Sequence, residues 1–197
     1  MPNLRRTSAA LALCTLSAFG LTAYNNPPAT AKTGAVVTAV KTSKQTKQQQ
    51  AEAVRWLEHR IVHFQHMAWH WKLVMGLPLT RPGRSLAGWS IQQLKQTVVW
   101  WQHQAAQAWL QATHVPHKAA WLCIHHYEGS WTDPNAPYYG GLQMNLAFQQ
   151  RYGYWLYRTK GTADHWTPLE QMWVAERAYK SRGFWPWPNT ARYCGLL

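Results

Sequence analysis

Two stretches of the chain repeat their apolar residues with the period of an α-helix, the first over residues 52–75 and the second over residues 91–113. Because about 3.6 residues make one turn, this spacing gives each helix an apolar side. Residues 76–90 lie between them and include two prolines and three glycines, which interrupt helices. The pattern predicts a helical hairpin within residues 51–118.

Histidines line one narrow arc of the first predicted helix, at spacings of four, three and four: His59, His63, His66 and His70. The adjoining arc is apolar and holds Trp56, Phe64, Met67, Trp71 and Val74. We interpret the pair of arcs as a packed apolar face edged by amphipathic histidines. A metal site is the alternative, since histidines at i and i+4 can share an ion, but that arc has no carboxylate.

Residues 32–50 have a different composition, with four lysines, no acidic residue, no aromatic residue and no sustained apolar period. Such a segment buries too little apolar surface to offset the entropy of ordering. We predict a disordered basic linker here.

The last part of the chain, residues 119–197, is predicted to hold shorter elements. Residues 118–127 are typical of a short helix, with Glu128 in its last turn and Gly129 as its stop.

A second helix in this part has clear boundaries. Thr167-Pro168-Leu169-Glu170 has the spacing of a capping box with proline at the first helical position, and Gly183 suits the other end. Glu176 lies on or near the apolar side of this helix, so we expect it to be partly buried and paired with an arginine.

The N-terminus is typical of an export signal. Arg5 and Arg6 precede a mildly apolar run over residues 9–23, and Ala29-Thr30-Ala31 follows. We predict a signal peptide over residues 1–31 and a secreted or cell-wall location, with no stable membrane span after processing. An uncleaved anchor is the alternative, for which a run of about 15 residues is short.

Removal of that signal leaves two cysteines, Cys123 and Cys194. An exported chain with two cysteines most simply forms one disulfide, whose long loop would stabilise the fold by roughly 3 to 4 kcal/mol. Two reduced core cysteines are the alternative if the chain is not exported.

The net charge of +13 is uneven, since residues 32–119 carry +9 of it. A basic field favours polyanions, among them nucleic acids, anionic lipids and anionic cell-wall polymers. The near-neutral C-terminal part and the predicted export argue against nucleic acid, so we expect any such contact to be with wall polymers through the basic N-terminal half.

Four chemically active residues fall within six positions: Cys123, His125, His126 and Glu128. A zinc site would need a second paired cluster that the sequence lacks, so we predict no metal and no cofactor. A carboxylate at a helix C-terminus among aromatic rings is instead favoured in its protonated form, as a general acid requires.

Several motifs follow one another in order: a cysteine at 123, YEGSW at 127–131, YYGGLQ at 138–143, EQ at 170–171, VAE at 174–176, GFWPWP at 183–188 and a cysteine at 194. In this order they resemble the transglycosylase-like domain of actinobacterial resuscitation-promoting factors, which are lysozyme-like enzymes that cleave peptidoglycan. The resemblance covers residues 120–197. It implies a mainly α, lysozyme-like α+β fold with a small β-turn segment across a cleft, a disulfide between Cys123 and Cys194, and Glu128 as the catalytic acid.

Other residues are candidates for substrate binding. Gln143 is expected to hydrogen-bond a sugar, because the glycines before it let backbone and sugar approach closely. Tyr138, Tyr139 and Trp187 are candidates for stacking on sugar faces. Asn145 stands where some members of the family have an acidic residue.

Asp133 admits two interpretations, as the second carboxylate of a retaining hydrolysis or as a cap of an Asp-Pro turn. The sequence therefore leaves open hydrolysis or an anhydro-forming transglycosylation of the β-1,4 bond between N-acetylmuramic acid and N-acetylglucosamine. A glycan-binding module without turnover and a nucleic-acid binder are the alternatives from other functional classes.

Overall fold

The structure is a computed structural model that describes residues 33–81 and 85–197, with side chains from Lys44 onward. The predicted signal peptide over residues 1–31 lies outside the described residues. The chain divides into two units, Met1–Ser43 and Lys44–Leu197. The side-chain packing and bonds below belong to the second unit.

The described residues are mostly helical, as the sequence predicted. In chain order the elements are α1 (Thr33–Met75), α2 (Ile91–Thr113), α3 (Lys118–Glu128), β1 (Tyr138–Tyr139), β2 (Met144–Asn145), α4 (Leu146–Tyr152), α5 (Tyr154–Lys160), a single 3-10 turn (Ala163–His165), α6 (Pro168–Arg182) and α7 (Pro188–Tyr193). The two short strands are antiparallel, with Tyr138 opposite Asn145. Within these described segments, no helix is both long and apolar enough to cross a bilayer.

The prediction of a disordered linker over residues 32–50 was wrong, because residues 33–50 form the first part of α1. Residues 44–50 are all exposed there. Lysine, glutamine and alanine all favour helix intrinsically, so this segment extends a helix whose buried part begins later. This segment is therefore helical although its sequence has no sustained apolar period.

The two helices of the hairpin pack together, and the buried face of α1 overlaps the predicted one: Phe64, Trp71 and Val74 pack in the core as expected. Leu57, Ile61 and Ala68 pack in one cluster with residues of α2, namely Leu94, Val98, Trp101 and Ala105. Trp56 and Met67, which we assigned to the apolar face, are exposed. The aliphatic and small side chains one arc away make the contact with α2.

The hairpin and the C-terminal part share one core. Val74 at the end of α1 and Val115 after α2 are buried in the same cluster as Trp121, Leu142 and Val174. Residues 51–118 and 119–197, which we had divided into separate regions, therefore lie in one compact unit.

Helix α6 carries most of the polar contacts to the hairpin. Trp173 Nε1 donates to the carbonyl of Ala112 at 2.8 Å, and Arg177 Nη1 donates to the carbonyl of Leu73 at 2.9 Å. His70 Nε2 lies 2.8 Å from Glu170 Oε1. These bonds fix α6 against the ends of α1 and α2.

The two glutamates of α6 have structural partners. Thr167 and Glu170 form the predicted capping box. Glu176 is buried but is not paired with an arginine: Trp121 Nε1 donates to its Oε1 at 2.6 Å and the backbone N–H of His117 at 2.9 Å. The neighbouring arginine, Arg177, donates to a backbone carbonyl of α1 instead.

Candidate active site

Glu128 is the last residue of α3, and its position is set by what holds that helix. Trp121 and Ile124 bury one side of α3 in the core, and Gly129 ends the helix with a φ of 141°. The Glu128 carboxylate is half-buried and accepts a hydrogen bond from Thr190 Oγ1 of α7 at 2.8 Å. Its Oε2 has no hydrogen-bond partner among the residues that the structure describes and is free to meet a ligand.

The predicted disulfide is present. Cys123 of α3 is bonded to Cys194, which caps the C-terminal end of α7, across a sequence separation of 71 residues. The same two helices therefore share a covalent bond and the hydrogen bond between Thr190 and Glu128.

A cleft begins at Glu128. It consists of two adjoining depressions of about 200 and 320 Å³ that share the same four lining residues: Tyr138, Gln143, Pro186 and Trp187. Glu128 lines the smaller depression together with Pro188 and Asn189. The larger one continues along α4 and includes Asn145.

Three of the predicted substrate-binding residues line both depressions of this cleft: Tyr138, Gln143 and Trp187. Tyr138 is 48% exposed, so its ring is open to a ligand. Trp187 is only 5% exposed, and its Nε1 donates to the carbonyl of Leu142 at 2.7 Å. Trp187 therefore supports the wall of the cleft and exposes little of its ring to a ligand. Gln143 adopts a positive φ of 46° between them.

Asn145 and Tyr139 have different surroundings. Asn145 lines the larger depression, and its Oδ1 caps α4 by accepting from the N–H of Phe148 at 2.8 Å. Tyr139 packs against the core and is not among the residues that line the cleft.

Asp133 is engaged in a turn. Its Oδ1 accepts from the backbone N–H of Asn135 at 3.1 Å, and its Oδ2 accepts from Gln143 Nε2 at 2.8 Å. The hydrogen bond from Gln143, followed by that from the N–H of Asn135, lowers the pKa of Asp133 below 3.8. Asp133 is not among the lining residues, and it orients Gln143, which is.

The two glycines of the YYGGLQ segment make room for protein side chains. A Cβ at Gly140 would lie 2.5 Å from Gln171 Oε1, and one at Gly141 would lie 2.6 Å from His125 Nδ1 and 2.8 Å from Trp131. We had assigned these glycines to close approach of a sugar. They instead let the segment lie directly on α3 and α6.

Gln171 is a residue whose role the sequence did not indicate. Its buried amide accepts from the N–H of Gly141 at 2.9 Å and donates to the carbonyls of Trp131 at 2.7 Å and Ala163 at 2.8 Å. One side chain thus ties together three loops behind the cleft. Only its place in the EQ motif pointed to it.

His125 and His126 lie on different sides of α3. His125 stacks on Trp131 with ring centroids 4.0 Å apart, and its Nδ1 lies 3.2 Å from the carbonyl of Gly141. His126 is exposed. In the described part of the chain, no three side chains of the metal-ligating types converge.

The carboxylates of the described residues are distributed unevenly. Glu128 is the only one that lines either depression. Glu170 and Glu176 are buried in the bonds given above. The cleft therefore offers a single carboxyl group to a ligand.

The far end of the larger depression is basic, which the sequence did not lead us to expect. It is lined by Arg151 and Tyr152 of α4 and by Arg182, the last residue of α6. Arg151 and Arg182 are 31 positions apart in the sequence, and only the fold brings them together.

Comparisons of the whole chain find no matching family model, no matching curated protein and no matching solved structure. The interpretation of the cleft therefore depends on its own geometry and on the motifs that form it.

Proposed function

We propose that this protein cleaves a glycan by acid catalysis, with Glu128 as the proton donor. The observation that carries the proposal is the position of Glu128 as the single carboxyl group at one end of a cleft walled by Tyr138 and Gln143. An exposed phenol ring and an amide are the groups with which proteins stack on sugars and bond their hydroxyls.

Within that class, the proposed substrate is peptidoglycan, and the proposed enzyme is a lytic transglycosylase with a lysozyme-like fold. The support is the ordered resemblance of residues 120–197 to the domain of resuscitation-promoting factors. The motifs that carry this resemblance contribute to the cleft: YEGSW contains Glu128, and YYGGLQ and GFWPWP supply its walls. This function requires export of the protein, which the predicted signal peptide over residues 1–31 would provide.

The chemistry follows from a single carboxyl group. Protonated Glu128 gives its proton to the oxygen of the β-1,4 bond between N-acetylmuramic acid and N-acetylglucosamine, and that bond breaks to leave an oxocarbenium-like carbon. The resulting carboxylate then accepts the proton of the muramic acid 6-hydroxyl, whose oxygen closes an anhydro ring on that carbon. Glu128 is protonated again at the end, and no water is consumed.

Asp133 is the residue that would favour hydrolysis. A retaining hydrolase places a second carboxylate about 5 to 5.5 Å from the acid. Both oxygens of Asp133 already accept hydrogen bonds from Asn135 or Gln143, and the residue does not line the cleft. We therefore favour the anhydro product over the hydrolytic one.

The test is mass spectrometry of the products from purified peptidoglycan, with wild type, Glu128→Gln and Asp133→Asn. We expect anhydro ends from wild type, loss of at least 100-fold in rate with Glu128→Gln, and the same product type with Asp133→Asn. Reducing ends that depend on Asp133 would replace the transglycosylase proposal by hydrolysis. Binding without any product, unchanged in Glu128→Gln, would identify a glycan-binding module.

A further inference from the structure

The end of the cleft farthest from Glu128 carries two positive charges. Arg151 and Arg182 line the 320 Å³ depression from different helices, and both side chains are exposed. Neither is needed to bury apolar surface or to satisfy a buried group. Their position in the cleft is therefore consistent with binding of a ligand.

Tyr152 lines this depression together with both arginines. Arg151 Cζ is 5.5 Å from the centroid of the Tyr152 ring, and the Tyr152 hydroxyl contacts Ser181, the residue before Arg182. The Ser181 hydroxyl, 3.5 Å from the Tyr152 oxygen, and then the two arginines lower the pKa of this phenol below 10. The two arginines thus act on one spot of the surface.

These charges have no acidic partner in the described part of the chain. The ion pairs there involve His70 and Lys160 with Glu170, His117 with Glu176, and His165 with Asp164. No carboxylate lines this depression among those described. Its two guanidinium groups are left to water or to an anion that enters the cleft.

We propose that Arg151 and Arg182 bind a carboxylate carried by the glycan strand, so that the cleft selects anionic muramic-acid glycans over neutral chitin-like ones. The inference rests on the proposed function and names the substrate class of the same cleft. Arginine suits this task because its planar guanidinium group matches a carboxylate in two parallel hydrogen bonds. On a peptidoglycan strand such carboxylates come from the peptide stem, or from the lactyl group of a muramic acid to which no stem is attached.

The experiment measures binding, so that it does not depend on turnover. In a Glu128→Gln background, the dissociation constant is measured for wild-type arginines, Arg151→Gln, Arg182→Gln and the double substitution. Three probes are used: strands with peptide stems, strands stripped of peptide that keep the lactyl carboxylate, and chitin oligomers of equal length. Arg158→Gln is the matched control, because Arg158 is also exposed and lies 6.0 Å over a tyrosine ring, that of Tyr154, outside the cleft.

We expect the double substitution to weaken binding of peptide-bearing strands about 10-fold, which corresponds to about 1.4 kcal/mol, and chitin oligomers less than 2-fold. Arg158→Gln is expected to leave all three probes unchanged. A loss with peptide-bearing strands assigns a carboxylate of the stem, because the lactyl carboxyl group is an amide there, and a loss with stripped strands assigns the free lactyl carboxylate.

An equal loss for chitin oligomers, or no loss for either anionic probe, would overturn the inference. Thermal unfolding of the double variant at the wild-type midpoint excludes a general loss of folding as the cause. A failure of the proposed function is seen separately, as wild-type protein that binds the probes but yields no cleavage products.

Discussion

Thr190 is placed to hold the carboxyl group of Glu128 in both of its protonation states. Its hydroxyl oxygen lies 2.8 Å from Glu128 Oε1 and 3.4 Å from the carbonyl of Trp187. The hydroxyl donates to Glu128 when the carboxylate is charged. When Glu128 is protonated, the hydroxyl can accept its proton in a hydrogen bond and turn its own toward the carbonyl. In the proposed reaction, the carboxyl group would therefore keep one position as its proton leaves and returns.

Thr190→Val removes this hydroxyl with little change in volume, whereas Thr190→Ser keeps it. We expect the valine variant to lose about 10- to 100-fold in kcat with KM within 2-fold, because one charge-assisted hydrogen bond that positions the acid is lost. The serine variant is expected to stay within about 3-fold of wild type. Initial rates on purified glycan strands measure both, and equal losses in the two variants would point to packing.

At this scale the sequence predicted the acid but few of its partners. Glu128 was identifiable because a helix end, a glycine stop and a motif all fall on consecutive residues. Thr190 lies 62 positions from Glu128, Gln171 lies 40 positions from Trp131, and Arg182 lies 31 positions from Arg151. No local spacing records such contacts, since they arise only when α3, α6 and α7 pack.

Helix α6 is organised around the buried carboxylate of Glu170. Its oxygens accept from the N–H of Thr167 at 2.7 Å and from Lys160 Nζ at 2.7 and 2.9 Å, and His70 Nε2 lies 2.8 Å away. Burial alone would raise the pKa of Glu170, but the hydrogen bonds from His70, Lys160 and Thr167 together lower it from 4.5 to about 2. The carboxylate of Glu170 thus takes part both in the capping box of α6 and in the contact of α6 with the hairpin.

Glu170→Gln is therefore expected to change both stability and its pH dependence. Because the folded pKa is depressed, the charged group stabilises the fold fully above about pH 4.5, and this contribution of roughly 3 kcal/mol is lost as the pH falls toward 2. The variant should be less stable at pH 7 and approach wild type near pH 2. Urea unfolding across that range measures it.

Glu58→Gln is the control, since it removes one acidic residue from α1 and should keep the pH dependence of wild type. A Glu170→Gln protein whose stability falls with acid as steeply as wild type would contradict the assignment of that dependence to Glu170.

The sequence predicted elements best where their ends are signalled. Thr167 begins α6 with the predicted capping box, and Gly183 lies at its other end as expected. The extent of α1 was missed because exposed lysines and glutamines form helix without an apolar period. The buried face of α1 was predicted only in part, since Phe64 packs against α2 but Trp56 and Met67 are exposed, because neighbouring arcs are both apolar and only contact with α2 distinguishes them.

In the unit Lys44–Leu197, the hairpin supports the C-terminal part through a shared core. Val74 and Val115 are buried with the residues of α3 and α6, and Trp71 packs against them. Each buried aliphatic side chain of this kind stabilises a fold by roughly 1.5 to 3 kcal/mol, against a net stability of about 5 to 15 kcal/mol. The residues that form the cleft are therefore not an independent folding unit.

A chain that begins at Lys118 is expected to lose cooperative unfolding, because it lacks this packing and leaves Trp173 and Arg177 without their carbonyl partners. A chain that begins at Ala51 loses, among the described side chains, only the exposed ones of residues 44–50, and should keep the wild-type midpoint within a few degrees. Differential scanning calorimetry compares them. A Lys118 chain that unfolds cooperatively near the wild-type temperature would show that the hairpin is dispensable.

The same Ala51 chain also tests whether the basic N-terminal segment retains the protein on anionic wall polymers. It lacks the four lysines of residues 32–50. We expect weaker binding to purified walls, with less dependence on salt, because fewer charges contact the polymer.

The disulfide between Cys123 and Cys194 has a consequence for the alignment of α3 and α7. The Thr190–Glu128 hydrogen bond joins the same helices about one turn away, and sliding α7 by one turn would move Thr190 by about 5.4 Å, far beyond hydrogen-bonding reach. The covalent bond blocks that slide. Mild reduction is therefore expected to loosen the pairing of Thr190 with Glu128, and with it the activity proposed for Glu128, before the molecule unfolds.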